Sequence, residues 1–200
     1  LYETNPIVSL QKYKKLVEKN PSNIAARYGL SLALVKNSSF EEAVNEFEAL
    51  RPRLPNTILM LAAYAEVLAS AGQHQKAEKI VKKRLAISPD NQPLSMIHAK
   101  TLIATKRFKE AEKILIRLSK VRPNDVDIWY ELAETSGLAG NISGVHIARA
   151  EYFVLHGAYT RSIQHLEYAK SLTRGNNPQL QAKLAQQIQD LKTQVRLAKG

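Results

Sequence analysis

Five histidines are the residues of this sequence best suited to chemistry at neutral pH, because imidazole both transfers protons and binds metals. They are His74, His98, His146, His156 and His165. A zinc protease motif requires two histidines one helical turn apart with a glutamate between them, and no pair has that spacing. We expect His74 and His98 to pack against neighbouring helices. The other three are expected to form a chance cluster and not a metal site.

Other catalytic signatures are missing from the sequence. It contains no cysteine, which excludes disulfides, thiolate zinc sites and cysteine nucleophiles. It also has no glycine-rich phosphate loop, no nucleophile elbow and no suitable carboxylate pair for glycoside hydrolysis. We therefore predict no catalytic residue, no metal ligand and no bound cofactor in this chain, and expect that it is not an enzyme by itself.

Positive charge is the strongest compositional bias. The chain has 29 Lys and Arg against 18 Asp and Glu, a net charge of +11. Five basic residues follow steps of three and four and are predicted to share the solvent side of one helix: Lys106, Lys109, Lys113, Arg117 and Lys120. This basic face is either a solvated surface or a docking patch for an acidic partner or a membrane surface. Nucleic acid is less favoured, because no aromatic residues alternate with the lysines to stack on bases.

The helices that carry these residues repeat along the chain. Prolines recur every 34 residues, at Pro21, Pro55, Pro89 and Pro123. Alanines recur in the same frame, where two helices must approach closely, at Ala43, Ala77 and Ala111. Each unit is thus predicted to be a pair of amphipathic helices that ends at a proline. The predicted caps of the following helices are Asn56, Asn91 and Asn124.

A repeat of this length is the period of the tetratricopeptide (TPR) motif. The resemblance is carried by Trp129, Leu132 and Ala133 in the fourth unit and by Gly72, Ala77 and Pro89 in the second. The third unit departs from it, with Ser95 in place of the tryptophan and Lys106 in place of the glycine. The pattern extends in frame from Ile24 to Gly140.

We predict an all-α TPR solenoid of about eleven helices that forms a single domain over residues 1–200. Its predicted parts are an N-terminal half-repeat at 1–23, repeats at 24–57, 58–91, 92–125 and 126–156, a shifted final pair at 143–174 and a capping helix at 177–198. Gly140 and Gly157 lie half a period apart, so one helix is predicted to serve two pairs. The first helix of the opening unit is expected to be missing or disrupted by Pro6.

The first helices of stacked TPR units line a groove that takes an extended peptide or a partner's helix. The repeat frame predicts these groove residues: Tyr28, Leu32, Ala62, Glu66, Met96, Lys100, Tyr130 and Glu134. They form either a contact surface for a protein partner or, in part, a surface covered by the C-terminal helices. TPR co-chaperones that clamp a terminal carboxylate use Lys and Asn at such positions. Only Lys100 fits that pattern, which disfavours this mode.

A narrower resemblance begins at Gly140-Asn141-Ile142 and continues through His146, Ala148–Phe153, Gly157, Tyr159, Gln164, Leu166 and Ala169. This stretch resembles the C-terminal TPR domain of BepA-type periplasmic proteins, which are bacterial zinc metalloproteases with an N-terminal HExxH domain. It departs at Ala158, where relatives tend to have Asp, and at Ser162. The half-period shift is the most specific shared feature.

The resemblance implies a periplasmic docking module for outer-membrane β-barrel clients, for their assembly machinery and for its own protease domain. Zinc is expected only in that protease domain, outside this chain. Because the sequence begins at Leu1 in mid-repeat, we expect a domain excised from a longer protein. The alternative is a free-standing TPR scaffold or adaptor, with nucleic-acid binding through the basic face as its less favoured form.

Overall fold

The computed structural model describes residues 5–53, 57–175 and 177–198. Within these ranges all regular structure is helical, with eleven α-helices and a short 3₁₀ turn at Arg51–Arg53. The predicted all-α fold with about eleven helices is thereby confirmed. Tertiary contacts divide the chain into two compact units, unit 1 at Leu1–Thr105 and unit 2 at Lys106–Gly200. The single domain stays a prediction.

Unit 1 is built from antiparallel helix pairs joined by short turns. Its helices are α1 (Pro6–Lys19), α2 (Ile24–Lys36), α3 (Phe40–Leu50), α4 (Ile58–Ser70), α5 (His74–Leu85) and α6 (Gln92–Ala104). Asn23, Thr57 and Asn91 begin α2, α4 and α6 by accepting hydrogen bonds from first-turn amides, as short polar N-caps do. The predicted cap Asn91 is confirmed, whereas Pro55 and Asn56 lie outside the described residues.

Unit 2 continues the same pairing. Its helices are α7 (Phe108–Val121), α8 (Val126–Leu138), α9 (Ile142–Leu155), α10 (Tyr159–Leu172) and α11 (Pro178–Leu197). Asn177 caps α11 by accepting a hydrogen bond from the Leu180 amide, and Pro178 lies in its first turn. The prediction of Asn124 as the cap of α8 is wrong, because the neighbouring Asp125 occupies that position without a side-chain capping bond.

Small residues permit the close helix contacts of unit 1. Ala43 and Ala77 are fully buried, in agreement with their predicted place at helix crossings. Gly29 lies directly under the Tyr13 ring, so a β-carbon at that position would collide with the ring. Pro6 is the first residue of α1, where its missing amide has no helical partner to lose. The N-cap of α1 is Asn5. The predicted missing or disrupted helix before α1 falls on residues 1–4, which lie outside the described residues.

In unit 2, α9 packs against both α8 and α10, as the half-period spacing of the turn glycines predicted. On the α10 side, Ala150 of α9, Leu166 of α10 and Leu184 of α11 belong to one buried cluster. On the α8 side, the Glu112 carboxylate of α7 accepts hydrogen bonds from Ser136 Oγ and Asn141 Nδ2, each at 2.7 Å. This carboxylate joins α7 to the turn where the shifted pair begins.

Two side chains three repeat periods apart make the same local bond. Trp129 Nε1 donates to the Pro123 carbonyl and Arg27 Nε donates to the Pro21 carbonyl, both at 2.7 Å. Each hydrogen bond joins the first helix of a repeat to the proline turn that precedes it. An arginine in one repeat and a tryptophan in another thus make the same contact.

Across the described ranges, no helix combines the length and apolar character that a bilayer crossing requires.

Candidate protein-interaction surface

The predicted basic face is exposed. All five of its side chains are exposed, and within the described residues none of them forms an ion pair. Four of them lie on α7, but the prediction that Lys106 belongs to this helix is wrong. Lys106 precedes α7 in the turn and has φ +60°, the left-handed conformation that Gly72 adopts one period earlier at +74°. A lysine thus takes the glycine position of the repeat.

The predicted groove residues of unit 1 differ in their accessibility. Leu32, Glu66 and Lys100 are exposed, and Met96 is half-buried. Tyr28 is half-buried because its ring packs edge-on against Phe47, with the ring centres 5.9 Å apart. Ala62 is 8% exposed and belongs to the core between α4, α5 and α6, so it offers little surface to a partner.

The two predicted groove residues of unit 2 both contact α9. Tyr130 is 54% exposed, and its ring centre lies 6.1 Å from that of Tyr152. The Glu134 carboxylate lies 3.5 Å from the Arg149 guanidinium. The structure therefore extends the predicted surface from α8 onto its neighbour, and these two residues are partly engaged by the shifted pair.

Seven aromatic rings form a continuous surface across α8, α9 and α10, which we call the aromatic platform. Its members are Tyr130, His146, Tyr152, Phe153, His156, His165 and Tyr168. Every ring contacts at least one other ring of the set, and the centres of two contacting rings lie between 4.3 and 6.1 Å apart. These are the distances at which aromatic rings attract one another.

Helical periodicity places the platform on one side of each helix. On α9 and its C-cap residue His156, the side chains of His146, Arg149, Phe153 and His156 follow steps of three, four and three, which keeps them on one face. Arg161, His165 and Tyr168 do the same on α10. The Arg161 guanidinium lies 5.7 Å from the Phe153 ring centre, a cation–π distance. The platform thus carries two arginines together with its rings.

The centre of the platform is a contact between two imidazoles. His146 Nδ1 and His165 Nδ1 lie 2.9 Å apart, and the ring centres are 5.2 Å apart. The two nitrogens therefore lie nearly on the line between the ring centres, the head-on geometry of a hydrogen bond. One ring donates and the other accepts, so the contact requires at least one neutral imidazole.

The surroundings favour the neutral form of both imidazoles. Burial lowers the pKa of His146 below its ordinary value of 6.5, and the Arg149 charge lowers it further. Burial also lowers the pKa of His165, and the charges of His146 and Arg149 act in the same direction. Within the described residues, no group of three His, Cys, Asp or Glu side chains is placed to bind a metal ion.

The repeat frame predicted Tyr130 and the neighbouring Glu134 but not the rest of the platform. The three C-terminal histidines were predicted to form a chance cluster, although their helical spacing already placed them on one face with aromatic residues. The cross-helix order of the rings depends on how α9 packs between its neighbours, which no single-helix pattern specifies.

Two family profiles, both described as tetratricopeptide repeat, match residues 8–58 and 68–135. Together they cover more than half of the sequence. The chain belongs to the tetratricopeptide-repeat family. A TPR protein of Parabacteroides merdae has a similar fold, with a TM-score of 0.60 at 15% identity over 92% of this chain and 78% of that one. The TPR array is a scaffold for interaction and not a catalytic fold.

Among curated proteins, the TPR chain is similar to the beta-barrel assembly-enhancing protease of Yersinia pestis, with 27% identity over 150 residues. The match covers 74% of this chain and 30% of the Yersinia protein. A putative beta-barrel assembly-enhancing protease of Vibrio cholerae is 30% identical over 79 residues, which are 40% of this chain and 16% of that protein. The chain thus spans less than a third of these relatives, and its predicted resemblance to a BepA-type TPR domain is confirmed.

Proposed function

We propose that this TPR chain is the docking module of a periplasmic protein of the beta-barrel assembly-enhancing type. In this proposal it holds outer-membrane β-barrel proteins or components of their assembly machinery beside a zinc protease domain. The observation that carries the proposal is the match to the Yersinia protein over 74% of the chain. The TPR fold supports it, because stacked helix pairs offer a surface on which a partner can bind.

The structure supplies surfaces suited to this role. The exposed groove residues of unit 1 are apolar and charged, namely Leu32, Glu66 and Lys100, and the aromatic platform lies in unit 2. Aromatic and arginine side chains are enriched among residues that dominate binding energy at protein interfaces. The chain binds and positions in this proposal, while the chemistry belongs to the protease domain.

Site-specific crosslinking in the parent protein tests this function. A photoreactive residue introduced as Tyr130→p-benzoylphenylalanine is expected to crosslink to an outer-membrane β-barrel protein or to an assembly component, identified by mass spectrometry. The control carries the same residue at Leu138, which is also on α8 and is 55% exposed but is not part of the platform. Equal crosslinking from both positions, or crosslinks to unrelated proteins alone, would contradict the proposal. A parent gene without a signal peptide and without an HExxH motif would contradict it as well.

The basic face supports a second candidate function, which is binding of a polyanion by a TPR adaptor. Its five exposed cations have no ion-pair partner within the described residues. An RNA titration at two salt concentrations tests this function. Each neutralised phosphate adds about 0.7 for single strands, or about 0.9 for duplex DNA, to the slope of log affinity against log salt. Absence of binding near physiological salt would exclude this candidate.

A further inference from the structure

We propose that the aromatic platform binds an extended peptide segment that carries aromatic side chains and a carboxylate. This inference rests on the proposed function for its choice of a protein partner and specifies the chemistry of the segment that is bound. It concerns unit 2 alone, because six of the rings and both arginines belong to α8, α9 and α10 and the seventh ring, His156, is the C-cap of α9.

The dimensions of the platform suit an extended chain. Packed helix axes lie about 8 to 10 Å apart, so a path from α8 across α9 to α10 is roughly 16 to 20 Å long. An extended chain rises about 3.3 Å per residue, and about five or six residues cover that path. Tyr130 on α8 and Tyr168 on α10 stand at the two ends of the path and are 54% and 59% exposed. Each offers a ring to a ligand side chain.

The inner rings form a preorganised floor between those ends. Phe153 and His165 are stacked at 5.4 Å with an angle of 20° between their planes, and His146 is held by its hydrogen bond to His165. These three side chains are half-buried. A floor whose rings are already fixed loses little conformational entropy on binding, which is the general advantage of preorganisation.

The charge of the platform selects an acidic ligand. Arg149 and Arg161 are exposed, and the only carboxylate that an ion pair brings to the described platform is that of Glu134. The distance from Glu134 to the Arg149 guanidinium is 3.5 Å, longer than a strong charge-assisted hydrogen bond. A ligand carboxylate can therefore approach Arg161 without displacing an ion pair. To approach Arg149, it displaces only the weak contact between Arg149 and Glu134.

The ring geometry disfavours the two other ligand classes. A metal ion would have to lie where the lone pairs of His146 and His165 converge, but these nitrogens face each other head-on in a hydrogen bond. Single-stranded nucleic acid needs ring faces on which bases stack. Phe153 and His165 stack on each other, which closes one face of each ring to a base and leaves Tyr130 and Tyr168 as the main rings on which bases could stack. Side chains of a peptide, in contrast, can bind at ring edges and beside the terminal tyrosines.

Isothermal titration calorimetry with the whole chain tests the inference. The probe is a short synthetic peptide in which Phe and Tyr alternate with Ser and which ends in a free carboxylate. Its controls are the same peptide with Leu in place of each aromatic residue, the same peptide with an amidated C-terminus, and a single-stranded oligonucleotide. The platform variant is Tyr130→Ala with Tyr168→Ala. The matched variant is Leu138→Ala with Leu172→Ala, which removes side chains that are 55% and 50% exposed on the same two helices.

We expect the platform variant to bind the aromatic peptide about tenfold more weakly or worse, as for truncation of an interface hot spot, and the matched variant to bind normally. Arg161→Gln should remove the preference for the free carboxylate over the amide. The inference is overturned if the Leu peptide binds as tightly, if the platform variant keeps full affinity, or if only the oligonucleotide binds. These results are independent of partner identity: normal peptide binding combined with failure to crosslink a β-barrel or assembly component would overturn the proposed function alone.

Discussion

At the scale of single residues, the hydrogen bond between His146 and His165 joins α9 to α10. The sequence showed three histidines on neighbouring helices and favoured a chance cluster, since no metal-binding spacing links them. In the structure, the Nδ1 atoms of His146 and His165 lie 2.9 Å apart. His156 is instead hydrogen-bonded to the carbonyl of Tyr152, four residues before it. Periodicity predicts which face a residue shares, but a hydrogen bond between helices depends on their relative rotation and offset.

This contact predicts that unit 2 loses stability in mild acid. The pKa values of both histidines are lowered in the folded chain, so the unfolded chain binds more protons just below the ordinary value of 6.5. Stability is therefore complete above that value and falls as the pH drops toward the lowered folded pKa. Thermal unfolding followed by circular dichroism between about pH 8 and about pH 5 measures the effect.

The matched variants isolate the imidazole pair. His146→Gln with His165→Gln should reduce the acid-induced fall in melting temperature, because glutamine does not titrate. His156→Gln, at the exposed histidine of the same face, should keep the fall of the unsubstituted chain. An equal fall in all three proteins would show that other groups cause the pH dependence.

At the scale of helices, the repeat frame predicted most of the architecture. The predicted pairs 126–156 and 143–174 overlap at 143–156, and the helix they share is found at Ile142–Leu155. The predicted capping helix at 177–198 is found at Pro178–Leu197. Errors arose where neighbouring residues compete for one role: Asp125 and not Asn124 precedes α8, and Lys106 occupies the turn and not the helix. A short polar residue fits either position beside a helix start, so composition alone does not choose.

Enlarging a crossing alanine should destabilise the fold. Ala77→Leu and Ala111→Leu insert bulk at fully buried positions and are each expected to cost about 1 to 3 kcal/mol through overpacking. Urea denaturation measures the change in the free energy of unfolding. Ala104→Leu is the control, because Ala104 is exposed at the end of α6. A cost below about 0.5 kcal/mol for both core variants would contradict the tight crossing inferred from the repeat.

The contact between α1 and α2 provides a second test at this scale. Gly29→Ala places a methyl group against the Tyr13 ring and should weaken the packing of α1 on α2 by about 1 to 3 kcal/mol. Gly137→Ala is the control: its β-carbon would meet its nearest neighbour, Val145, at an ordinary 3.6 Å. That change should be neutral or stabilising, because alanine favours helix over glycine by about 1 kcal/mol. Faster amide hydrogen exchange in α1 of the first variant alone would agree with this assignment. Equal exchange in both would contradict it.

At the scale of the whole molecule, the two compact units divide the candidate surfaces between them. Unit 1 carries Leu32, Glu66 and Lys100, while unit 2 carries the aromatic platform and the basic face. The sequence predicted the exposure of the basic face, because polar residues on the outer side of an amphipathic helix remain solvated. It did not predict the platform, whose rings meet only after three helices have packed.

Charge reversal on α7 should show which surface of unit 2 holds the protein partner, the basic face or the aromatic platform. The triple variant Lys109→Glu, Lys113→Glu and Arg117→Glu is expected to keep the affinity for the protein partner, because these exposed side chains lie outside the platform. Its association rate constant at low salt should fall, since exposed charges affect the rate of association more than the stability of the complex. Surface plasmon resonance at two ionic strengths measures both quantities. A large rise in the dissociation rate would instead place the contact on the basic face.

The lone tryptophan of the chain, Trp129, lies in unit 2, where its indole nitrogen is bonded to the Pro123 carbonyl. Its fluorescence therefore reports the disruption of that half of the molecule, whereas far-ultraviolet ellipticity sums over the helices of both halves. If the two optical signals change together during denaturation, the halves melt cooperatively. If they separate, the order of the two transitions identifies which half is the less stable.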